Sequence, residues 1–447
     1  MHLRLADIRN CVSVCKAWHT IFIPQLYGCF EYRSSYSPDS AFHKYGHHMR
    51  ILQVLDSEFP DPERFGPECR LLTKLNISGK DEALSVECRQ HLTALIDNNT
   101  DIHTLGLCLD AQDELISDLK LLTRTPALKD LELSWSRIER ATTFDEILEC
   151  GPKLDRLLYR PRDDIAPMSI FKNSAIALQE SRTMWKLSSL TVGSFAEFGI
   201  ELLKYCPNLR HFSSTATDQT QYIQQLIQHH HDGYPSRLRH LQLYGWDRAQ
   251  PELFLAFLKG CAESSGLKTM ELMFFPIAND IITGFATLHA HTLEKVYLYT
   301  PKLEESSSYD YSVNVLLSAC PNLRHLVLLE MMVSMEDLVQ STWACKHLQV
   351  LRVHIQGNQV IDQDHQPMTS DQVPESFQNT IDLRRRVWNQ IAEMTNLWEL
   401  YVHNDYNMVC PVDCTHIEAG GKVLCNLNTL TFADGGLESL CKLHRLT

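Results

Sequence analysis

Cys410, Cys414, His416 and Cys425 lie close together near the C-terminus of this 447-residue chain, and their side chains could do chemistry as a group. Thiolates and imidazoles hold zinc tetrahedrally, and Cys410-x3-Cys414 has the spacing of one ligand pair. His416 and Cys425 do not follow with the spacing of a second pair, so no metal and no other cofactor is expected. A second cluster, His229-His230-His231, ends a polar stretch of helical character. Catalytic signatures are missing: there is no G-x-S-x-G, no G-x-x-x-x-G-K-S/T, no H-E-x-x-H and no G-x-G-x-x-G. Eighteen glycines leave little for a phosphate cradle, and no thiol is marked as activated by its neighbours. The expectation is a chain that is not an enzyme.

Composition narrows the remaining classes. The chain is 44% hydrophobic and carries a formal net charge of −14, from 41 Lys+Arg against 55 Asp+Glu. It can bury a large core, and it lacks the clustered cations that nucleic acid or an anionic membrane demands. Arg384-Arg385-Arg386 follows an acidic stretch and reads as a solvated helix face. No leader and no run of about 20 apolar residues is evident. Fifteen cysteines in a long chain without a leader suit reduced, buried thiols of the cytosol or nucleus.

What must position any functional residue is a repeat. The hexapeptide CPNLRH occurs at 206–211 and again at 320–325. After it runs a pattern of apolar, two others, apolar, one other, apolar, found again at Leu75/Ile77, Leu105/Leu107, Leu131/Leu133, Leu241/Leu243, Val296/Leu298 and Leu351/Val353. Apolar residues two apart share one face of a strand. Between these strands the spacing is helical, as at Phe195, Phe198, Leu202 and Leu203, or Leu253, Phe254, Phe257 and Leu258. The unit is strand, turn, helix and return, about fourteen times over, and only stacked neighbours can bury its apolar edge. Cys69, Cys206, Cys320 and Cys345 stand three residues before a strand's leading leucine, where a small apolar thiol fits a tight corner. After two of them, Pro207 and Pro321 stop the helix.

This pattern resembles the leucine-rich-repeat family, in its longer, irregular, cysteine-containing form, over about residues 45–447. The resemblance implies an α/β solenoid: a parallel strand stack with helices on the convex side. The asparagine that many members place three positions after the last apolar residue is replaced here by Lys80, Trp246, Met331, Gln356 or Asp405, so no asparagine ladder is expected.

Residues 1–33 do not fit the repeat. LADIRNCVSVCKAWHTIFIPQLYGCF reads as two short helices, one with Leu5, Ile8, Val12 and Cys15 on a face and one with Trp18, Ile21 and Phe22, after which Pro24 breaks the pattern. Asp7, Ile8, Cys11, Val14, Cys15, Lys16, Trp18 and Phe22 match the later half of an F-box, position by position. That resemblance implies a helical segment that docks a Skp-type adaptor, and through it a cullin, using Leu5, Ile8, Val14, Trp18 and Ile21. The family's opening Leu-Pro-x-Glu helix has no counterpart after Met1. Two alternatives follow: a start internal to the true gene, or a variant that binds the adaptor poorly or not at all. The segment could instead simply cap the open end of the stack.

Strand residues interleaved with the apolar ones face the concave surface. Early repeats place small or charged residues there, such as Lys74, Asn76 and Thr104. Later repeats place His240, Tyr244, Tyr297, Tyr299, His325, Arg352, His354, Tyr401 and His403. Tyr, Arg and His on a rigid exposed sheet suit recognition of a protein partner. Two polar insertions, 357–380 and 301–311, interrupt the repeat, the latter carrying Ser306–Ser308 as accessible hydroxyls. The expected function is a substrate-recognition subunit of an adaptor/cullin–RING ubiquitin ligase, cytoplasmic or nuclear. The alternative is an interaction scaffold without ligase association.

Overall fold

The computed structural model describes residues 13–32, 44–55, 69–78, 86–109, 124–135, 151–161, 185–193, 208–215, 220–232, 237–245, 251–273, 279–299 and 310–356. It also describes strands 399–403 and 429–432 and single positions at 203, 206 and between 379 and 397. The chain divides into two compact units, Met1–Ser214 and Thr215–Thr447.

Among the described residues of the first unit eight strands pair in chain order, each parallel to the next: β1 (Cys29–Tyr32), β2 (Ile51–Val54), β3 (Lys74–Ser78), β4 (Thr104–Leu109), β5 (Asp130–Trp135), β6 (Arg156–Pro161), β7 (Ser189–Val192) and β8 (His211–Ser214). The second unit pairs β9 (His240–Tyr244), β10 (Thr269–Met273), β11 (Lys295–Tyr299), β12 (His325–Ser334), β13 (Val350–Gln356), β14 (Glu399–His403) and β15 (Thr429–Phe432) in the same way. Consecutive parallel strands need a crossover each time, and the chain supplies helices for many of these returns. Described helices are α1 (Lys16–Tyr27), α2 (Val86–Asp97), α3 (Thr220–His231), α4 (Pro251–Ser264), α5 (Asn279–Leu288), α6 (Asp310–Ala319) and the short α7 (Met335–Leu338). This is the leucine-rich-repeat architecture that the spacing predicts.

The period of two explains the core. Leu75 and Ile77, Leu105 and Leu107, and Leu131 and Leu133 are buried and in register. Leu241/Leu243, Met270/Leu272 and Val296/Leu298 repeat the arrangement in the second unit. Each buried leucine contributes about 1.5–3 kcal/mol. Ser214, the weak third position of its repeat, still registers with Val192 and is fully buried. Helices close the other side: Phe254, Phe257 and Leu258 of α4 are buried, as expected, and so are Ile281, Ile282 and Phe285 of α5. The helix expected around Phe195 lies outside the described residues, although Leu203 at its end is buried.

The corner before many of the strands is one recurring turn. Leu323 N–H donates to the Cys320 carbonyl at 3.2 Å, Leu348 to Cys345 at 3.1 Å, Leu128 to Thr125 at 3.2 Å and Leu154 to Gly151 at 3.0 Å. The four predicted corner cysteines are buried. Burial pushes the thiols of Cys69, Cys320 and Cys345 up to about 12 and that of Cys206 higher still, because an apolar corner disfavours thiolate. Where the corner residue is Gly151, the space is taken by the buried ring of Trp185: a Cβ there would stand 2.1 Å from it.

Two features of residues 1–33 differ from expectation. Pro24 does not break the helix; α1 runs through it to Tyr27. Proline removes one backbone donor and costs about 3 kcal/mol in a helix interior, and stacking of Tyr27 on Tyr45, with ring centroids 4.2 Å apart, holds the last turn in place. The strand stack also begins at Cys29, within the stretch predicted to be helical and ahead of residue 45, because β1 pairs with β2.

Candidate functional site

Two surfaces carry the predicted site residues, one in each unit. In the first, α1 has twelve residues and a single buried side chain, Ile23. Trp18 and Ile21 lie one turn apart on it, 43% and 58% exposed, and Val14 just ahead of it is 64% exposed. Trp18 is therefore no core anchor; its ring makes one edge-on contact with Phe22 at 5.8 Å. An isolated helix this short is marginal in water, and single scattered apolar residues would need no comment, but here they cluster on one short helix. Leu5 and Ile8 lie outside the described residues.

In the second unit, the residues between the core leucines form rows across the strands. Gln242, Glu271 and Tyr297 are neighbours in one row, and Tyr244, Met273 and Tyr299 in the next. All six are half-buried. Gln242 Nε2 donates to Glu271 Oε2 at 2.5 Å and also to the Tyr244 hydroxyl. Tyr297 Oη lies 3.3 Å from His325 Nδ1. Arg352 pairs with Glu399, its Nε donating to Oε1 at 2.5 Å. Beside the face, Lys268 Nζ pairs with Glu294 Oε1 at 2.5 Å.

Burial sets the electrostatics. It raises the Glu271 carboxyl above the usual carboxylate range, against the opposing influence of the Gln242 hydrogen bond and Lys295. The Tyr297 phenol is raised by burial first and by Glu271 next. His240 and His325 are lowered, mainly by burial and then by neighbouring lysines, so both imidazoles favour the neutral form.

Of the predicted recognition residues, the strands bring His240, Tyr244, Tyr297, Tyr299, His325 and Arg352 onto one face. His354, Tyr401 and His403 occupy β13 and β14, but their side chains lie outside the described set. Between Val327 and Met332, β12 bulges, so His354 registers with Met332 rather than with Leu329. Sequence reasoning missed Glu271 and Glu399. Glu271 sits between Met270 and Leu272 at the same template position as Tyr297, so the signal was present in the alternation.

The histidine triplet ends α3, where His230 Nε2 lies 3.3 Å from Glu263 Oε2. Cys410, Cys414, His416 and Cys425 lie outside the described residues. Among the described residues no helix is long and apolar enough to cross a membrane.

No family model matches the chain, and no curated protein matches it. Solved structures do. A complex of TLR13 with the single-stranded RNA ssRNA13 aligns with a TM-score of 0.41 at 15% identity, over 86% of this chain and 49% of that one. This chain thus spans about half the length of that structure. A leucine-rich-repeat protein of Leptospira interrogans aligns with a TM-score of 0.40 at 11% identity, covering 90% of this chain and 99% of its own. The leucine-rich-repeat protein LegL7 of Legionella pneumophila gives 0.32 at 10% identity, covering 88% and 98%.

Proposed function

We propose that this chain is the non-catalytic substrate receptor of a Skp-type adaptor/cullin–RING ubiquitin ligase, working in the cytoplasm or nucleus. The observation that carries the reading is α1, which exposes Trp18 and Ile21 and buries only Ile23. Large apolar side chains held on a helix that gains little from its own domain are suited to a helical partner. The match of residues 7–22 to the later half of an F-box gives that partner its identity. The substrate would lie on the strand face of the second unit, where tyrosine, histidine and arginine are held by hydrogen bonds in a rigid array. A net charge of −14 disfavours RNA as the ligand.

Purified adaptor offered to the full chain tests the reading. Binding to the native chain with loss in a Trp18→Ala/Ile21→Ala variant that keeps its fold is the expected result. Equal binding by both proteins, or none by the native chain, would remove the ligase role and leave an interaction scaffold.

A further inference from the structure

The strand face of the second unit holds a carboxylate, Glu271, that no cation among the described residues pairs with. Arg352 is committed to Glu399, and Lys268 to Glu294. Glu271 forms no ion pair among the described residues; its contact is the neutral amide of Gln242. Lys295 acts on it electrostatically without reaching ion-pair distance. Around Glu271 stand three phenol rings. Tyr297 is its neighbour on β11 in the same row, and Tyr244 and Tyr299 flank Met273 in the next row. Parallel strands are about 4.8 Å apart, so all three rings start within one or two strand spacings of the carboxylate.

The surroundings are fixed before any ligand arrives. Gln242 ties Tyr244 and Glu271 together, and His325 holds the Tyr297 hydroxyl. We infer that this is a socket for an arginine side chain of a bound protein segment, with Glu271 facing the guanidinium and the tyrosine rings stacking on it. A carboxylate offers the guanidinium two parallel hydrogen bonds, and its weakly hydrated planar face suits aromatic rings. Half-burial of Glu271 agrees, because an incoming cation would relieve the cost of keeping that carboxylate charged. The inference rests on the proposed substrate face and specifies what that face grips.

Fluorescein-labelled dodecapeptides of alternating Ser and Thr, carrying one central Arg, norleucine or Glu, test it by anisotropy at low salt with the full chain. The Arg peptide is expected to bind about ten-fold tighter than the norleucine peptide, and the Glu peptide weakest. Glu271→Gln should reduce the Arg preference to under about two-fold while leaving the melting curve in place. Equal binding of Arg and norleucine peptides, an Arg preference that survives Glu271→Gln, or binding of no peptide would each overturn the socket. The substrate face is judged separately, by loss of protein partners in Tyr297→Ala/Tyr299→Ala. If that loss occurs while Glu271→Gln keeps the same partners, the face stands and the arginine socket falls.

Discussion

His289 Nδ1 accepts a hydrogen bond from the backbone N–H of Leu267 at 3.1 Å, reaching from the corner of one repeat to the corner of the repeat before it. Asn99 makes the same bridge in the first unit, accepting from Leu72 N–H at 2.9 Å and donating to the Cys69 carbonyl at 2.7 Å. A buried cysteine at the corner mainly packs, although Cys320 Sγ also reaches the Ala286 carbonyl at 3.6 Å; a polar residue there must satisfy backbone groups across the stack.

The His289 bridge makes stability depend on pH. Burial lowers its pKa from 6.5 to about 4, outweighing the Leu258 backbone, which favours the cation. Nδ1 as acceptor requires the neutral ring. The unfolded chain therefore takes up the proton first, so stability is complete above pH 6.5 and is lost as pH falls towards 4. The loss amounts to about 3 kcal/mol, and His240 and His325 add to it with the same sign. His289→Asn, imitating Asn99, should melt less acid-sensitively across that window. An unchanged pH profile of Tm would show that His289 is not the sensor.

Gly151→Ala should be the most damaging one-carbon change in the first unit. The new methyl would meet the Trp185 ring, which is 1% exposed. A cost of about 2–4 kcal/mol is expected in chemical denaturation. Gly266→Ala in the second unit combines a φ of 69° with a Cβ 2.6 Å from Thr292 Oγ1, and should cost a similar amount. Wild-type midpoints for either variant would place these corners wrongly.

Trp18→Ala and Ile21→Ala should change stability by under about 1 kcal/mol each, since both side chains are exposed. Thermal melts check this independently of adaptor binding. A collapse on losing Trp18 alone would mean that its role is packing within the chain.

Cys206 and Cys320 should resist thiol reagents in the native state and react on unfolding, whereas exposed Cys15 should label at once. Burial holds both corner thiols far above neutral pH in their protonated form. Mass spectrometry of timed labelling distinguishes them, and fast native labelling of Cys320 contradicts the buried corner.

Tyr297→Ala/Tyr299→Ala should weaken partner binding by about 2–4 kcal/mol, while changing Lys74 or Asn76 should cost under about 0.5. The double variant should also melt slightly lower, because Tyr297 is half-buried and bonded to His325. Retained partners would make this row structural.

The phase of the repeat was legible in the sequence. Leu241 and Leu243, or Val296 and Leu298, announce a strand by their spacing of two, and Pro321 after Cys320 announces the corner. These signals are local: one residue's neighbours along the chain decide which face it takes. The interleaved tyrosines could be placed on one face by the same rule. What sequence could not show is which residues meet across strands. Glu271 lies 29 residues from Gln242, and Tyr297 lies 28 from His325. The Trp185 ring fills the space at Gly151, and His289 reaches back to Leu267. Lateral partners are fixed by register and by the length of each return, which vary from repeat to repeat, so only the stacked structure decides them. Alternation along the strand told inside from outside; packing between strands told neutral amide from ion pair.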